Sequence, residues 1–269
     1  MPDSPTSIGI IPTLPQESVM NQIAAPNAIA NMKIADPAAM EIRDEVALIS
    51  SVLPLDGARV LELGCGKAEK TRAIATGARL ALMIAMEVDA IQHDCNLLVR
   101  DLPAVDFRLG GAEAIPAPDA DFDLVFMFKS LHHVPIQKMD QAMSELKRVL
   151  KPGGMAWLSE PVYAGNFNDI LRMFHDEKTM REAAFAAIQR AVNDGMFELV
   201  EQHFFNTPAH FDSFEQFETQ ILGVTHTRHE LSAALHQQVK DAFMRHMTPH
   251  GVDFLSPIRV DLLRKPAHL

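Results

Sequence analysis

Cysteine is nearly absent. The chain of 269 residues has two, Cys65 and Cys95, too few and too scattered for a disulfide framework or a metal-spaced set. A reducing compartment is the expectation, and with it a cytoplasmic location. Long apolar runs are missing as well. The longest spans residues 80–86, far short of what a membrane-spanning helix needs. No basic residue precedes Lys33, so the charged start of a signal peptide is lacking. Positive charge is in short supply: 24 Lys and Arg stand against 35 Asp and Glu, a formal net charge of −11. That balance argues against nucleic acid as the main partner, because phosphate binding draws on clustered cations.

What is present is an ordinary globular composition, 48% hydrophobic and 22% charged. Residues 1–35 hold five prolines by position 26 and read as an N-terminal arm or a lid. Asp36-Pro37 has the form of an N-cap followed by proline at the first helical position, which predicts a helix to about residue 53. From there strands and helices alternate. Strands are expected at 59–63, 80–88, 105–109, 122–128 and 155–159. Helices are expected at 67–76, from the capping residue Asp89 to about 100, and at 135–150. Met139, Ala142, Met143, Leu146, Val149 and Leu150 lie on one face of the last of these.

This alternation predicts an α/β fold with a doubly wound, mostly parallel sheet and flanking helices. Ligands of such sheets bind beyond the carboxyl ends of the strands. After Pro161 the pattern turns to longer helices, at 166–176, 179–193, 214–222 and 229–246, with strands at 196–204 and 258–263. The organisation expected is an arm (1–35), a core (36–161), a mainly helical cap on the acceptor side (162–250) and a closing strand (251–269).

The loop Gly64-Cys65-Gly66 follows the first strand and lets a ligand approach the backbone without a Cβ in the way. A dinucleotide fingerprint would need a third glycine where Glu69 stands. Glu62 would also repel a pyrophosphate and attract an ammonium, by roughly 4 kcal/mol at 4 Å and an effective dielectric near 20. A zwitterionic, phosphate-free ligand suits the loop better than NAD.

Four stretches in order, VLELGCG (60–66), MEVD (86–89), GGAEAIPAPDADFDLVFMFKSLHHV (110–134) and LKRVLKPGG (146–154), resemble the class I S-adenosylmethionine-dependent methyltransferases over residues 55–165. The resemblance implies S-adenosyl-L-methionine as cofactor and methyl transfer to a small-molecule acceptor. It places Glu62, Gly64 and Gly66, with Cys65 between them, at the methionine end. It gives Glu87, with Asp89 as second choice, to the ribose, Ala112 to the adenine and the Lys129 backbone to the methionine end. Many relatives carry Asp where this chain has Gly111, so Glu113 or the backbone alone would hold the adenine amine.

Candidate acceptor-side residues follow from the rim. His132 and His133 succeed the fourth parallel strand, and Tyr163, the only tyrosine, follows the fifth. Asn168, Arg172 and His175 fall at i, i+4 and i+7 of one helix, a polar stripe able to bind an anionic or polar acceptor. His226 and His229 make only half a metal site, and no metal is expected. A dinucleotide-dependent oxidoreductase and a non-catalytic binding or scaffold protein of the same fold are the competing classes.

Overall fold

The computed structural model describes residues 32–223 and 231–267. The expected arm falls almost wholly outside the described residues, as do His226 and His229. The chain folds around a seven-stranded sheet ordered β3-β2-β1-β4-β5-β7-β6. Its strands are β1 (Arg59–Leu63), β2 (Leu82–Glu87), β3 (Val105–Leu109), β4 (Phe122–Phe128), β5 (Leu150–Pro161), β6 (Glu198–Phe211) and β7 (Val252–Arg264). The first five run parallel, and β7 enters antiparallel between β5 and β6.

Both faces of the sheet are covered, which is why the central strands read as near-continuous apolar runs. Successive side chains alternate between the faces. Val60, Leu124 and Phe126 join Trp157 in one core beneath α1 (Glu45–Val52) and α2 (Glu69–Gly77). Leu61, Leu63, Val125 and Met127 join the opposite core, beneath α4 (Met139–Val149) and α6 (Lys178–Asn193). The α4 face expected from spacing, Met139 through Val149, is wholly buried. Each Met, Leu and Val of this face contributes about 1.5–3 kcal/mol of burial, and Ala142 less.

The first helix starts later than Asp36 implied. Asp44 is its cap, accepting from the Val46 and Ala47 N–H groups at 2.8 and 3.1 Å, while Asp36 closes a local turn onto Ala38 N–H at 3.1 Å. Ile42 bridges Asn206 in parallel fashion, and the Asn206 N–H donates to Glu41 O at 2.7 Å. That backbone pairing along β6 holds residues 41–43 extended, so a helix cannot form there. Asp89 caps α3 (Ala90–Asn96) as expected, although Gln92 bonds Asn96 at 2.9 Å rather than closing a capping box.

The C-terminal part contributes more sheet than helix periodicity suggested. β6 and β7 pair along nearly their whole lengths as an antiparallel ladder. The polar stretch 206–210 carries no apolar alternation, so only backbone pairing reveals it as strand. Above this hairpin lie α5 (Asn166–Leu171), α7 (Phe214–Phe217) and α8 (Ala233–Met244). Phe211, Phe214, Phe217, Phe243 and Phe254 pack there in a third core, with ring centroids of neighbouring pairs 5.1–6.3 Å apart. Aromatic pairs of this kind add about 0.5–1.5 kcal/mol each beyond burial. They anchor the single π-helical turn Glu218–Leu222, which continues α7.

Candidate active site

Strand order reverses between β1 and β4, and the crevice at their carboxyl ends is where open α/β sheets bind ligands. A cavity of about 700 Å³ lies there. Its walls carry the glycine loop, Glu87 and Asp89 from the end of β2, Gly111 to Glu113 beyond β3, and Lys129, Ser130 and His133 beyond β4. Thr219 and Gln220 of the π-helical turn line it from the cap side.

The loop is shaped for close approach. Gly64 has φ +75° and Gly66 φ +51°, the left-handed region that favours glycine. A Cβ on Gly64 would come within 2.6 Å of Ser130 Cβ, whose hydroxyl donates to Leu63 O at 2.7 Å. A Cβ on Gly66 would meet nothing within 4 Å, so that position faces open space on the cavity wall. Glu87 fixes the loop: it accepts from the N–H groups of Gly66 at 2.7 Å, Val88 at 2.8 Å and Asp89 at 3.0 Å. Gly111 also has a local reason. A Cβ there would lie 2.6 Å from Glu113 Oε2, so the Glu113 carboxylate fills the place a longer side chain at 111 would take.

Two residues expected in the donor site are elsewhere. Glu62 sits on the Val60 face of β1, buried against α2, where it accepts from Thr71 Oγ1 at 2.7 Å. Strand alternation turns it away from the cavity. Burial pushes its carboxyl up to about 8, outweighing the Thr71 hydrogen bond, so it is mostly neutral at pH 7. It therefore neither repels a pyrophosphate nor attracts an ammonium inside the cavity, contrary to the expectation from the sequence. Cys65 is buried beside Asn96, whose side-chain amide reaches its sulfur at 3.5 Å, and burial raises its thiol pKa.

A second, smaller cavity of about 240 Å³ adjoins the first, and Lys129 and His133 line both. Val162, Phe167, Leu171, Phe174 and Ile221 make its apolar wall. Lys129, His132, His133, Asn168, His175, Glu177 and Arg181 make its polar end. Lys129 holds φ +53°, a conformation uncommon for a long side chain, with its N–H donating to Ser159 O at 2.7 Å. It lines both cavities, and desolvation there pulls its ammonium below the usual lysine range.

A buried chain of charges forms the floor. His132 Nδ1 bonds Glu160 Oε2, Glu160 Oε1 accepts from Leu131 N–H at 2.9 Å, and His132 Nε2 stands 3.5 Å from Glu177 Oε1. Burial alone would lower the His132 pKa, but Glu160 and Glu177 outweigh it and hold the imidazole at about 9. Burial opposes ionisation of Glu160 and Glu177 as well. His132, with Arg259 for the first and Arg181 for the second, nonetheless holds both carboxyls below their ordinary value. Arg181 Nη2 donates to Glu177 Oε2 at 2.7 Å and Nη1 to Asn168 Oδ1 at 2.9 Å. Its buried Nε has no protein partner.

Of the acceptor-side expectations, His132, His133, Asn168 and His175 converge on this cavity. Tyr163 and Arg172 do not line it: the Tyr163 hydroxyl bonds Asp176, and Arg172 pairs with Asp169 at 3.1 Å, half exposed. Glu177 and Arg181 were missed. Their signal was present, since Arg181 falls on the apolar stripe of α6 with Ala184, Phe185 and Ile188, one turn beyond Glu177. A charged residue on a buried face needs a partner.

Residues 61–158 match the family described as "Methyltransferase domain". The chain is 31% identical over 100 residues to a fatty-acid O-methyltransferase of Mycolicibacterium smegmatis, covering 37% of this chain and 36% of that protein. It is 33% identical over 105 residues to a demethylmenaquinone methyltransferase of Lysinibacillus sphaericus, covering 37% of this chain and 42% of that protein. The matched region thus spans less than half of each relative. Among solved structures, the [4+2]-cyclase SpnF shares the fold at a TM-score of 0.54 and 19% identity, over 90% of this chain and 91% of that one. Residues 61–158 thus carry a methyltransferase domain, and with the motif order and the fold they support a class I S-adenosylmethionine-dependent methyltransferase, a family that implies S-adenosyl-L-methionine as cofactor.

Proposed function

We propose that this chain is an enzyme that transfers a methyl group from S-adenosyl-L-methionine, in the larger cavity, to a small acceptor in the smaller one. The observation that carries the reading is that the two cavities meet at Lys129 and His133. The larger cavity fits the cofactor: the Gly64–Gly66 turn takes the methionine end, Glu87 and Asp89 offer carboxylates for the ribose, and Ala112 and Glu113 bound the adenine side. When bound, the cofactor supplies a methyl group on a sulfonium, displaced in line by a nucleophile, and holding the reactants in register contributes about 7–11 kcal/mol of the barrier reduction.

The smaller cavity indicates the acceptor's chemistry. Its apolar wall takes a hydrocarbon or aromatic body of modest size, and among its polar lining the Lys129 ammonium, with Arg181 already paired to Glu177, favours an oxygen that is already anionic. Such an oxygen needs no dedicated base. A carboxylic acid or an acidic phenol, methylated on oxygen, is the acceptor class proposed; the fatty-acid O-methyltransferase relative supports it. The net charge of −11 supports a small molecule over a nucleic acid. Among the described residues no helix is long and apolar enough to cross a membrane.

The fold does not by itself specify methyl transfer, because a similarly folded chain is a cyclase. The test is calorimetry with S-adenosyl-L-methionine and, separately, NAD. Incubation with methyl-labelled cofactor and a panel of carboxylic acids, phenols, amines and thiols follows. Cofactor binding with label on oxygen acids supports the reading. Binding of NAD alone overturns the family cofactor here, and label on amines or thiols only overturns the acceptor class.

A further inference from the structure

We propose that His132, His133 and Glu177 bind one divalent first-row transition-metal ion at the floor of the smaller cavity. Among the described residues this is the one group of three or more metal-ligating side chains whose ligand atoms converge, all within 4.8 Å of one another. Two of the three are buried and the His133 side chain is half exposed, so the group sits at the inner end of an open cavity.

The orientation of each side chain is that of a ligand. The Glu160 carboxylate holds His132 through Nδ1, which leaves Nε2 directed at Glu177 Oε1, 3.5 Å away. A carboxylate on the far nitrogen is the arrangement that fixes the tautomer and raises the basicity of metal-bound histidines. Arg181 occupies the other Glu177 oxygen, so Oε1 alone turns toward the imidazoles. His133 Nδ1 lies 4.0 Å from that oxygen and His175 Nε2 2.9 Å from it. Three nitrogens thus surround one carboxylate oxygen.

Zinc takes bonds of about 2.0–2.2 Å to nitrogen and oxygen, so ligand atoms around a tetrahedral ion sit roughly 3.3–3.5 Å apart. The ligand atoms, all within 4.8 Å of one another, need to draw together by roughly 1–1.5 Å at the widest to reach that spacing. Two imidazoles and one carboxylate suit zinc, iron, cobalt or manganese rather than magnesium or calcium, which prefer oxygen alone. Three protein ligands leave a coordination position open, and all three line the cavity proposed for the acceptor. An acceptor oxygen is the group that would complete the shell. The competitor for the site is a proton on His132.

Metal binding does not rest on the methyl-transfer reading, and its test needs no acceptor. Tag-free protein, freed of metal by a chelator and dialysed, is titrated with zinc chloride by calorimetry and with cobalt chloride by visible absorption. One equivalent of zinc and a cobalt d–d band are expected. Glu177→Gln keeps the volume and the Arg181 contact, and His133→Ala changes a half-exposed side chain. Each is expected to weaken binding at least tenfold while circular dichroism shows the fold retained. His210→Ala, at the exposed His210–Asp253 pair, is expected to change nothing. Absence of stoichiometric binding, or equal affinity in both site variants, overturns the proposal and leaves the cluster holding a proton.

Discussion

Glu62 gives the sharpest test of how burial sets chemistry in this protein. Its carboxyl is fully buried, bonded to Thr71, and pushed by burial from 4.5 to about 8. Between those values the folded chain holds a proton that the unfolded chain has released. The unfolded state then binds fewer protons, and stability falls as pH rises, by about 1.36 kcal/mol per pH unit. The contribution is fully present below pH 4.5 and is lost by the time the pH has passed through 8. Across that window the loss reaches about 4–5 kcal/mol, a large part of the roughly 5–15 kcal/mol that holds a domain folded. Glu62→Gln keeps an amide oxygen for the Thr71 hydroxyl and cannot ionise. Urea unfolding of both proteins at intervals from pH 4.5 to 9 measures the difference, and the shared titrations cancel. The variant is expected to match the wild type at the acid end and to gain steadily above it, flattening beyond pH 8. A difference that does not change with pH would refute the assignment of a neutral buried carboxyl.

Gly64→Ala combines φ +75° with a Cβ 2.6 Å from Ser130 Cβ, so a loss of about 2–3 kcal/mol is expected in thermal unfolding, along with weaker cofactor binding. Arg259 is buried, pairs with Asp261 at 2.8 Å and lies 4.4 Å from the Phe185 ring centroid. Arg259→Leu leaves Asp261 without its ion-pair partner, bonded only to the Gln202 amide at 2.6 Å, and is expected to cost about 3–5 kcal/mol in denaturant unfolding, most of it recovered when Asp261→Leu is added. Leu171 lines only the smaller cavity. Leu171→Trp is expected to abolish methyl transfer to the acceptor while the cofactor dissociation constant, read by calorimetry, stays within twofold of wild type.

Much of the site was legible where a residue's role follows from its neighbours in sequence. Gly64 and Gly66 follow an apolar run and precede a helix, and Asp89 opens α3 as its cap. Gly111 to Glu113 follow β3, and Lys129, Ser130 and His133 follow β4, and all six line the larger cavity. Glu62 was read as a ligand because the loop motif includes it, yet its place two residues after Val60 and between Leu61 and Leu63 of β1 already set its face. Tyr163 and Arg172 were chosen for type and spacing, and other partners hold them away from the cavity: Asp176 takes the Tyr163 hydroxyl, and Asp169, one turn earlier, pairs with a half-exposed Arg172.

The sequence by itself determined the alternation of strands and helices, the glycine turn and the resemblance to the methyltransferase domain, because each depends on local periodicity and on motifs in a fixed order. Tertiary structure decided the rest. The long β6–β7 ladder arises from backbone hydrogen bonds that leave no apolar pattern in residues 206–210. The floor of the smaller cavity joins His132, Glu160, Glu177 and Arg181 from β5, the start of α6 and the turn after β4, and a side chain's charge there depends on which carboxylates surround it once water is gone. Burial energies and ion-pair partners are properties of neighbours in space, and no spacing along the chain carries them.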